Sequence, residues 1–111
     1  LKNSIEQKDG YKLLSTFGLA HSNFKNGNVK EMILNYETIY NDESIDEYYQ
    51  QLALMLSVMK DNLSSFSQLH SRLSSILNTP SKLQMLASEL EIILFLRFKF
   101  NFAARILISL R

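Results

Sequence analysis

The sequence predicts an all-α fold of about six antiparallel helices, arranged as three helix-turn-helix pairs. Apolar residues recur at spacings of three and four along almost the whole chain, which is the periodicity of amphipathic helices. Its 111 residues include only three Gly and one Pro to interrupt that pattern. With 46% hydrophobic and 21% charged residues, the composition is that of a folded globular protein. We expect a single domain over residues 1–111, with pairs at about 9–41, 45–78 and 80–111.

The first predicted pair has the clearest helical pattern. One face of its first helix is apolar and carries Tyr11, Leu14, Phe17, Ala20 and Phe24. Gly27 is placed to end this helix in a left-handed conformation. Asn28 then caps the second helix, with Glu31 three residues later, as in a capping box. The apolar face of the second helix carries Val29, Met32, Ile33, Tyr36, Ile39 and Tyr40.

The second predicted pair begins after the polar connection 41–45. Ser44 and Glu47 have the spacing of a capping box that opens the third helix. The buried face of that helix is expected to carry Leu52, Ala53, Leu56 and Met59. Residues 60–62 mark a short break, and Asn78 ends the fourth helix. The apolar face of the fourth helix carries Leu63, Phe66, Leu69, Leu73, Ile76 and Leu77.

The third predicted pair opens at Thr79 and Pro80, because a hydroxyl cap followed by proline is typical of a helix start. Its first apolar face carries Leu83, Leu86, Ala87, Leu90, Ile93 and Leu94. Further on, Phe98, Phe100 and Phe102 alternate with polar residues, a period of two that could also indicate a short strand. A lone strand would have no partner in a helical chain. We therefore expect a turn at 98–101 and a sixth helix at 102–111.

The three pairs can be laid over one another as a repeat. In this superposition, the equivalent residues of the first helices are Ala20, Ala53 and Ile92. The equivalent residues at the turns are Gly27, Lys60 and Lys99. In the second helices it aligns Met32, Ser65 and Ala104, and then Tyr36, Leu69 and Ile108. The chain thereby resembles a tetratricopeptide-repeat array, an α-α superhelix (solenoid) built from 34-residue helix pairs. Only the first pair has most of the repeat's marks, and lysine replaces the turn glycine in the other two.

A narrower resemblance covers most of the chain and is carried by short apolar runs. These are residues 11–14 (YKLL), 17–20 (FGLA), 27–28 (GN), 36–39 (YETI), 52–54 (LAL), 87–90 (ASEL) and 102–105 (FAAR). They are similar to the bacterial YfgM-like family of ancillary Sec translocon subunits. The resemblance implies a tetratricopeptide-like domain on the periplasmic side of the bacterial inner membrane, in a protein anchored by one N-terminal helix. Its members are linked to protein translocation and periplasmic chaperones. Because the chain starts at Leu1 without Met and stops at Arg111 within an apolar pattern, we expect a fragment of a longer protein.

Composition and motifs argue against most kinds of chemistry. The chain has no cysteine, so thiol catalysis and thiolate metal sites are excluded. His21 and His70 lack the spacing of a metal site, and residues 42–53 fail the geometry of a calcium loop. No acid–base pair can be named, so we expect no catalytic residues, no metal and no cofactor. The charged residues Arg97, Lys99 and Arg105 lie among apolar ones, an unsuitable track for nucleic acid. The charges also argue against membrane insertion within 92–110.

The remaining interpretation is a non-enzymatic scaffold that binds a protein or polypeptide partner. From helix phase, the residues expected to face that partner are Lys12, Asn23, Ser57 and Glu91. A stacking or self-association surface is expected at Phe98, Phe100, Phe102, Ile106 and Leu110. The alternative is a self-associating structural domain without a peptide-binding role. Charge is also uneven, since 31–47 is acidic without Lys or Arg and 92–111 is basic without an acid.

Overall fold

The computed structural model describes the backbone of residues 2–110 and the side chains of residues 10–110. Over residues 2–110 the chain forms five α-helices and no strand, which confirms the all-α prediction. The helices are α1 (Lys2–Lys25), α2 (Val29–Tyr40), α3 (Glu47–Lys60), α4 (Phe66–Leu77) and α5 (Gln84–Ser109). The chain divides into two compact units, Leu1–Leu63 with α1 to α3 and Ser64–Arg111 with α4 and α5. None of these helices combines the length and the apolar character needed to cross a membrane.

In the first unit, α1 and α2 pack against each other in antiparallel directions. Gly27 reverses the chain with φ of +80°, the left-handed conformation that the sequence predicted. Asn23 of α1 then bonds to Asn35 of α2 at 2.7 Å, while the ring of Phe17 lies 6.1 Å from that of Tyr36. The contact made earlier in α1 is therefore made later in α2, as antiparallel packing requires. This short connection positions the apolar faces of both helices toward one core.

The core of the first unit contains Ala20, Met32, Tyr36, Ile39 and Ala53. All five are essentially inaccessible to solvent, and they come from α1, α2 and α3. At the end of α3, the ammonium group of Lys60 lies 5.0 Å from the ring centroid of Phe24 and 3.4 Å from Tyr36 Oη. Burial raises the pKa of the Tyr36 hydroxyl, which keeps it a neutral hydrogen-bonding group. Lys60, at the end of α3, therefore contacts both α1 and α2.

Helix α3 begins differently from the prediction. Its cap is Asp46, whose Oδ1 accepts from the Tyr48 amide at 2.9 Å. Ser44 instead donates its amide and hydroxyl to Asp42 Oδ1, so the predicted capping box of Ser44 with Glu47 is wrong. Among the residues predicted to be buried on α3, Met59 is exposed, whereas its neighbour Val58 is buried. Residues 42–46 contain several good capping side chains, and the one that lets Ile45 pack against the core becomes the cap.

In the second unit, α4 and α5 also run antiparallel. Near the start of α4, Phe66 contacts Phe95 and Phe98 of α5, and at its end the Leu77 carbonyl accepts from the Gln84 side chain at 2.8 Å. A complete capping box opens α4, in which Ser65 and Gln68 exchange hydrogen bonds. The buried residues of this unit are Leu69, Leu73, Ile76, Leu83, Ala87, Leu90 and Leu94.

Two predicted features of the last segment are wrong. Helix α5 begins at Gln84 and not at Thr79 and Pro80, which lie in the connection after α4. It then continues without a break to Ser109, so the turn at 98–101 and the separate sixth helix are absent from the described residues. Residues 98–101 contain no Gly or Pro, and Phe95, Phe98 and Phe102 follow the helical spacing of three and four. The helical period, and not the alternation of aromatic and polar residues, therefore matches the structure of this segment.

Candidate functional site

Two of the predicted partner-facing residues lie in the first unit near its helix connections. Asn23 is half-buried, and its side-chain amide is engaged by Asn35. Lys12 is exposed and lines a cavity of about 320 Å³ formed by α1, the end of α2 and the α2–α3 connection. The two residues lie on α1 three turns apart, since each turn takes 3.6 residues. The structure brings Lys12, but not Asn23, to this cavity.

The 320 Å³ cavity has a mixed polar and apolar lining. Besides Lys12, the polar groups around it include Thr16, Thr38, Asp42 and Asp46. Hydrogen bonds from the side chain and the backbone of Ser44 lower the pKa of Asp42, and the charge of Lys12 lowers it further. The Asp42 carboxylate is therefore already engaged within its own loop.

The other two predicted partner-facing residues are Ser57 and Glu91. Ser57 is fully buried, and its hydroxyl donates to the Leu54 carbonyl at 2.7 Å. Glu91 is half-buried on α5, with Oε1 lying 3.1 Å from His70 Nδ1 on α4. The four predicted residues are thus distributed over three helices and both units, and only Lys12 among them lines the 320 Å³ cavity. Their role in binding stays a prediction.

The second unit contains a pocket of aromatic side chains. We call it the phenylalanine pocket, and it is lined by Phe66, Phe95, Phe98, Lys99 and Phe102. Its volume is about 250 Å³. The ring of Phe66 is in edge-on contact with those of Phe95 and Phe98, at centroid distances of 6.2 and 5.6 Å. Helical spacing on α5 places Phe95, Phe98 and Phe102 along one side of the pocket.

Two cationic side chains lie beside the phenylalanine pocket. The Lys99 ammonium is 5.5 Å from the ring centroid of Phe95, and the Arg97 guanidinium is 5.4 Å from that of Phe98. Cations in this position are attracted to the ring faces. The lining thus combines four aromatic rings with the cation Lys99, and a second cation, Arg97, lies next to Phe98.

The predicted self-association surface is a single exposed length of helix. Phe100, Phe102, Ile106 and Leu110 are all exposed, while Phe98 is half-buried in the phenylalanine pocket. Leu94 is the last buried residue of α5 among those described. Beyond it, the remaining residues of the helix extend past the start of α4 and expose most of their apolar side chains.

The phenylalanine pocket was only partly foreseen from the sequence. Phe98 and Phe102 were among the predicted surface residues, whereas Phe66 was expected on the apolar face of the fourth helix. A continuous α5 would have brought Phe95 onto the same face, because it lies three and seven residues before Phe98 and Phe102. Phe66 joins them because α4 and α5 pack side by side in antiparallel directions. The sequence prediction had assigned these two helices to different pairs.

No group of three or more histidine and carboxylate residues lies close enough to hold a metal ion among the described side chains. Comparison of the chain with family models, with curated proteins and with solved structures gave no match. The resemblance to YfgM-like proteins and to tetratricopeptide repeats therefore stays a prediction.

Proposed function

We propose that this protein is a non-enzymatic scaffold that binds a polypeptide, and that the phenylalanine pocket anchors it. The observation that carries the proposal is a pocket of about 250 Å³ with four phenylalanine rings in its lining. Small-molecule sites usually enclose roughly 300–1,000 Å³. A smaller aromatic pocket on a helical surface suits one bulky apolar side chain of a protein partner.

The charge beside the pocket supports a partner segment of defined chemistry. Lys99 and Arg97 place positive charge next to the rings of Phe95 and Phe98. Between 92 and 111 the sequence has basic residues and no acidic one. The favoured segment is therefore a bulky apolar residue flanked by Asp or Glu, because complementary charge speeds encounter and selects the partner.

The pocket lining also supports a binding role over a catalytic one. Four phenylalanine side chains and one lysine supply no paired acid and base. The neighbouring His70 and Glu91 contact each other, and neither lines the pocket.

The cellular setting follows from the family resemblance. We place the chain on the periplasmic side of a bacterial inner membrane, as part of an anchored protein linked to translocation or chaperones. Fractionation of cells that express the parent protein tests this placement, which fails if the protein is found in the cytosol.

The binding proposal can be tested with a reduced, carboxymethylated protein that cannot refold, labelled with a fluorophore and titrated with this chain. Phe102→Asp puts a negative charge in the pocket, and we expect it to weaken binding by roughly tenfold or more. Leu34→Asp changes an equally apolar, exposed residue of the first unit and should bind like the wild type. Equal affinities for the Phe102→Asp variant and the wild type would remove the pocket from the proposal.

A further inference from the structure

The phenylalanine pocket has room for one aromatic side chain and little else. An apolar cavity of roughly 150 Å³ accepts a benzene-sized ring, and this pocket has a volume of about 250 Å³. Aromatic rings attract each other edge-on at centroid distances of about 4.5–7 Å. The ring of Phe66 already meets those of Phe95 and Phe98 at 6.2 and 5.6 Å. A further ring is therefore the apolar group that suits this lining.

The polar part of the lining is a single cation. Of the five described residues that line the pocket, Lys99 is one and the other four are phenylalanines. The Lys99 ammonium lies 5.5 Å from the ring centroid of Phe95, and the residue is exposed. An ammonium group has three N–H donors and no acceptor. Because the bound ring and the ammonium share one small pocket, the ligand must carry a negative group close to its own ring.

A polypeptide can place a carboxylate near an aromatic ring in two ways. The α-carboxylate of a C-terminal residue is bonded to the same Cα that carries the ring. The carboxylate of a neighbouring Asp or Glu starts from a Cα about 3.8 Å further along the chain. In an extended segment that neighbouring side chain also points to the opposite side of the backbone. The α-carboxylate is thus the anion that accompanies an inserted ring most closely.

The apolar lining also favours the end of a chain over its interior. Phenylalanine side chains neither donate nor accept conventional hydrogen bonds, so they cannot replace the water that a peptide group loses. An internal residue would bring peptide groups from both of its sides against these rings. A C-terminal residue brings the chain from one side only, and its other side ends in the carboxylate that Lys99 can bind.

Building on the proposed binding function, we propose that the phenylalanine pocket binds the C-terminal residue of a polypeptide. The aromatic side chain of that residue packs among the four rings, and its α-carboxylate accepts hydrogen bonds from the Lys99 ammonium. Such charge-assisted hydrogen bonds are stronger than neutral ones, and capture of a terminal carboxylate is a recurring mode of peptide recognition. A free aromatic acid has the same chemistry without the preceding chain.

The inference is tested by fluorescence anisotropy with the full chain and short peptides labelled at their N-terminus. One Gly- and Ser-rich peptide ends in Phe with a free carboxylate, and a second is identical but amidated at its C-terminus. A third has Asp and further residues after the Phe. The peptide with the free carboxylate should bind roughly tenfold or more tightly than the other two, because only it offers the charged acceptor beside the ring.

Substitution of Lys99 assigns the preference to one side chain. Lys99→Gln should reduce the ratio of affinities for the free and amidated peptides to less than about twofold, whereas Lys99→Arg keeps the charge and most of the ratio. Lys82 is an exposed lysine of the connection between α4 and α5, so Lys82→Gln is the matched control and should leave the ratio unchanged. Circular dichroism of each variant confirms that its helices are intact.

Equal affinities for the free and amidated peptides, or no binding of the free-carboxylate peptide at about 1 mM, would overturn the inference. If Phe102→Asp then still weakened binding of the unfolded protein, the proposed function would stand without recognition of the chain end. N-acetylphenylalanine that binds as tightly as the free-carboxylate peptide would overturn the polypeptide as the source of the carboxylate. The ligand would then be a small aromatic acid.

Discussion

The two units of the chain differ in how well their apolar residues are covered. In the first unit three helices surround one core, and aromatic residues such as Tyr36 lie at its centre. In the second unit α4 has 12 residues and α5 has 26, so about half of the longer helix extends beyond its neighbour. Large apolar side chains are exposed along both halves of α5, six of them from 84 to 96 and five from 97 to 109. The comparison teaches that a helix packed against one short neighbour leaves much of its apolar surface exposed, whereas three helices cover a shared core.

The largest difference in stability between the units is expected when one aromatic residue is replaced in each. Tyr36 is 1% exposed and Phe100 is 75% exposed. We expect Tyr36→Ala to cost roughly 3–5 kcal/mol of unfolding free energy, since it leaves a cavity in the core. Phe100→Ala should change the free energy of unfolding by less than about 0.5 kcal/mol in the monomer. Urea denaturation at low protein concentration measures both, and similar losses would break the comparison.

Within α5, the same comparison applies to two leucines. Leu94 is 1% exposed, whereas Leu107 is 66% exposed. Leu94→Ala should destabilise the chain by about 2–5 kcal/mol, while Leu107→Ala should cost less than about 0.5 kcal/mol at concentrations that keep it monomeric. Thermal unfolding followed by circular dichroism tests this pair. If Leu107→Ala were as costly as Leu94→Ala, the end of α5 would be covered within one chain.

Substitutions at the helix caps should give smaller differences in stability between the two units. Ser65 accepts from the Gln68 amide at the start of α4, whereas Asn28 occupies the cap of α2 without a side-chain hydrogen bond to it. Ser65→Ala should therefore cost about 1 kcal/mol, and Asn28→Ala less than about half of that. Chemical denaturation of the two variants beside the wild type provides the measurement. A reversed order would mean that Asn28 stabilises the first unit by another contact.

Acid should produce the smallest of these effects, through Asp42 in the first unit. Ser44 lowers the pKa of Asp42 below its usual value of 3.8. A carboxyl group with a lowered folded-state pKa adds stability above that usual value, and the added stability is lost as pH falls through the folded-state pKa. Asp42→Asn should thus have a lower Tm than the wild type at pH 6, with the difference shrinking below pH 3.8. Ser44→Ala should show the same trend, and a difference in Tm that is constant with pH would contradict it.

The sequence predicted the parts of the fold that depend on local signals. The periodicity of α2 identified its buried residues. Gly27 was correctly expected in the left-handed conformation, because glycine is the residue that most often takes this conformation just after a helix. The start of α3 was missed because Asp42, Ser44 and Asp46 are all good local caps, and the choice among them depends on packing of Ile45. Local sequence could not make that choice.

The candidate site was harder to predict because it depends on which helices are neighbours. An apolar residue at helical spacing fits a buried face and an exposed stripe equally well, so Leu94 and Leu96 look alike in the sequence. Leu96 is exposed because it lies about 200° around α5 from Leu94, on the side away from α4, although α4 reaches the neighbouring Phe95 and Phe98. Ser57 shows the opposite case, since a polar residue chosen from helix phase is fully buried.

The capping box of Ser65 and Gln68 has a consequence for engineering of the chain. Its hydrogen bonds cap the start of α4 within the second unit. Just before it, the Leu63 amide donates to Asp61 within the first unit. The boundary between the two units, at residues 63 and 64, thus lies between two local hydrogen-bonded segments. A short flexible insert, such as a protease recognition sequence or a reporter tag, is best introduced at this junction.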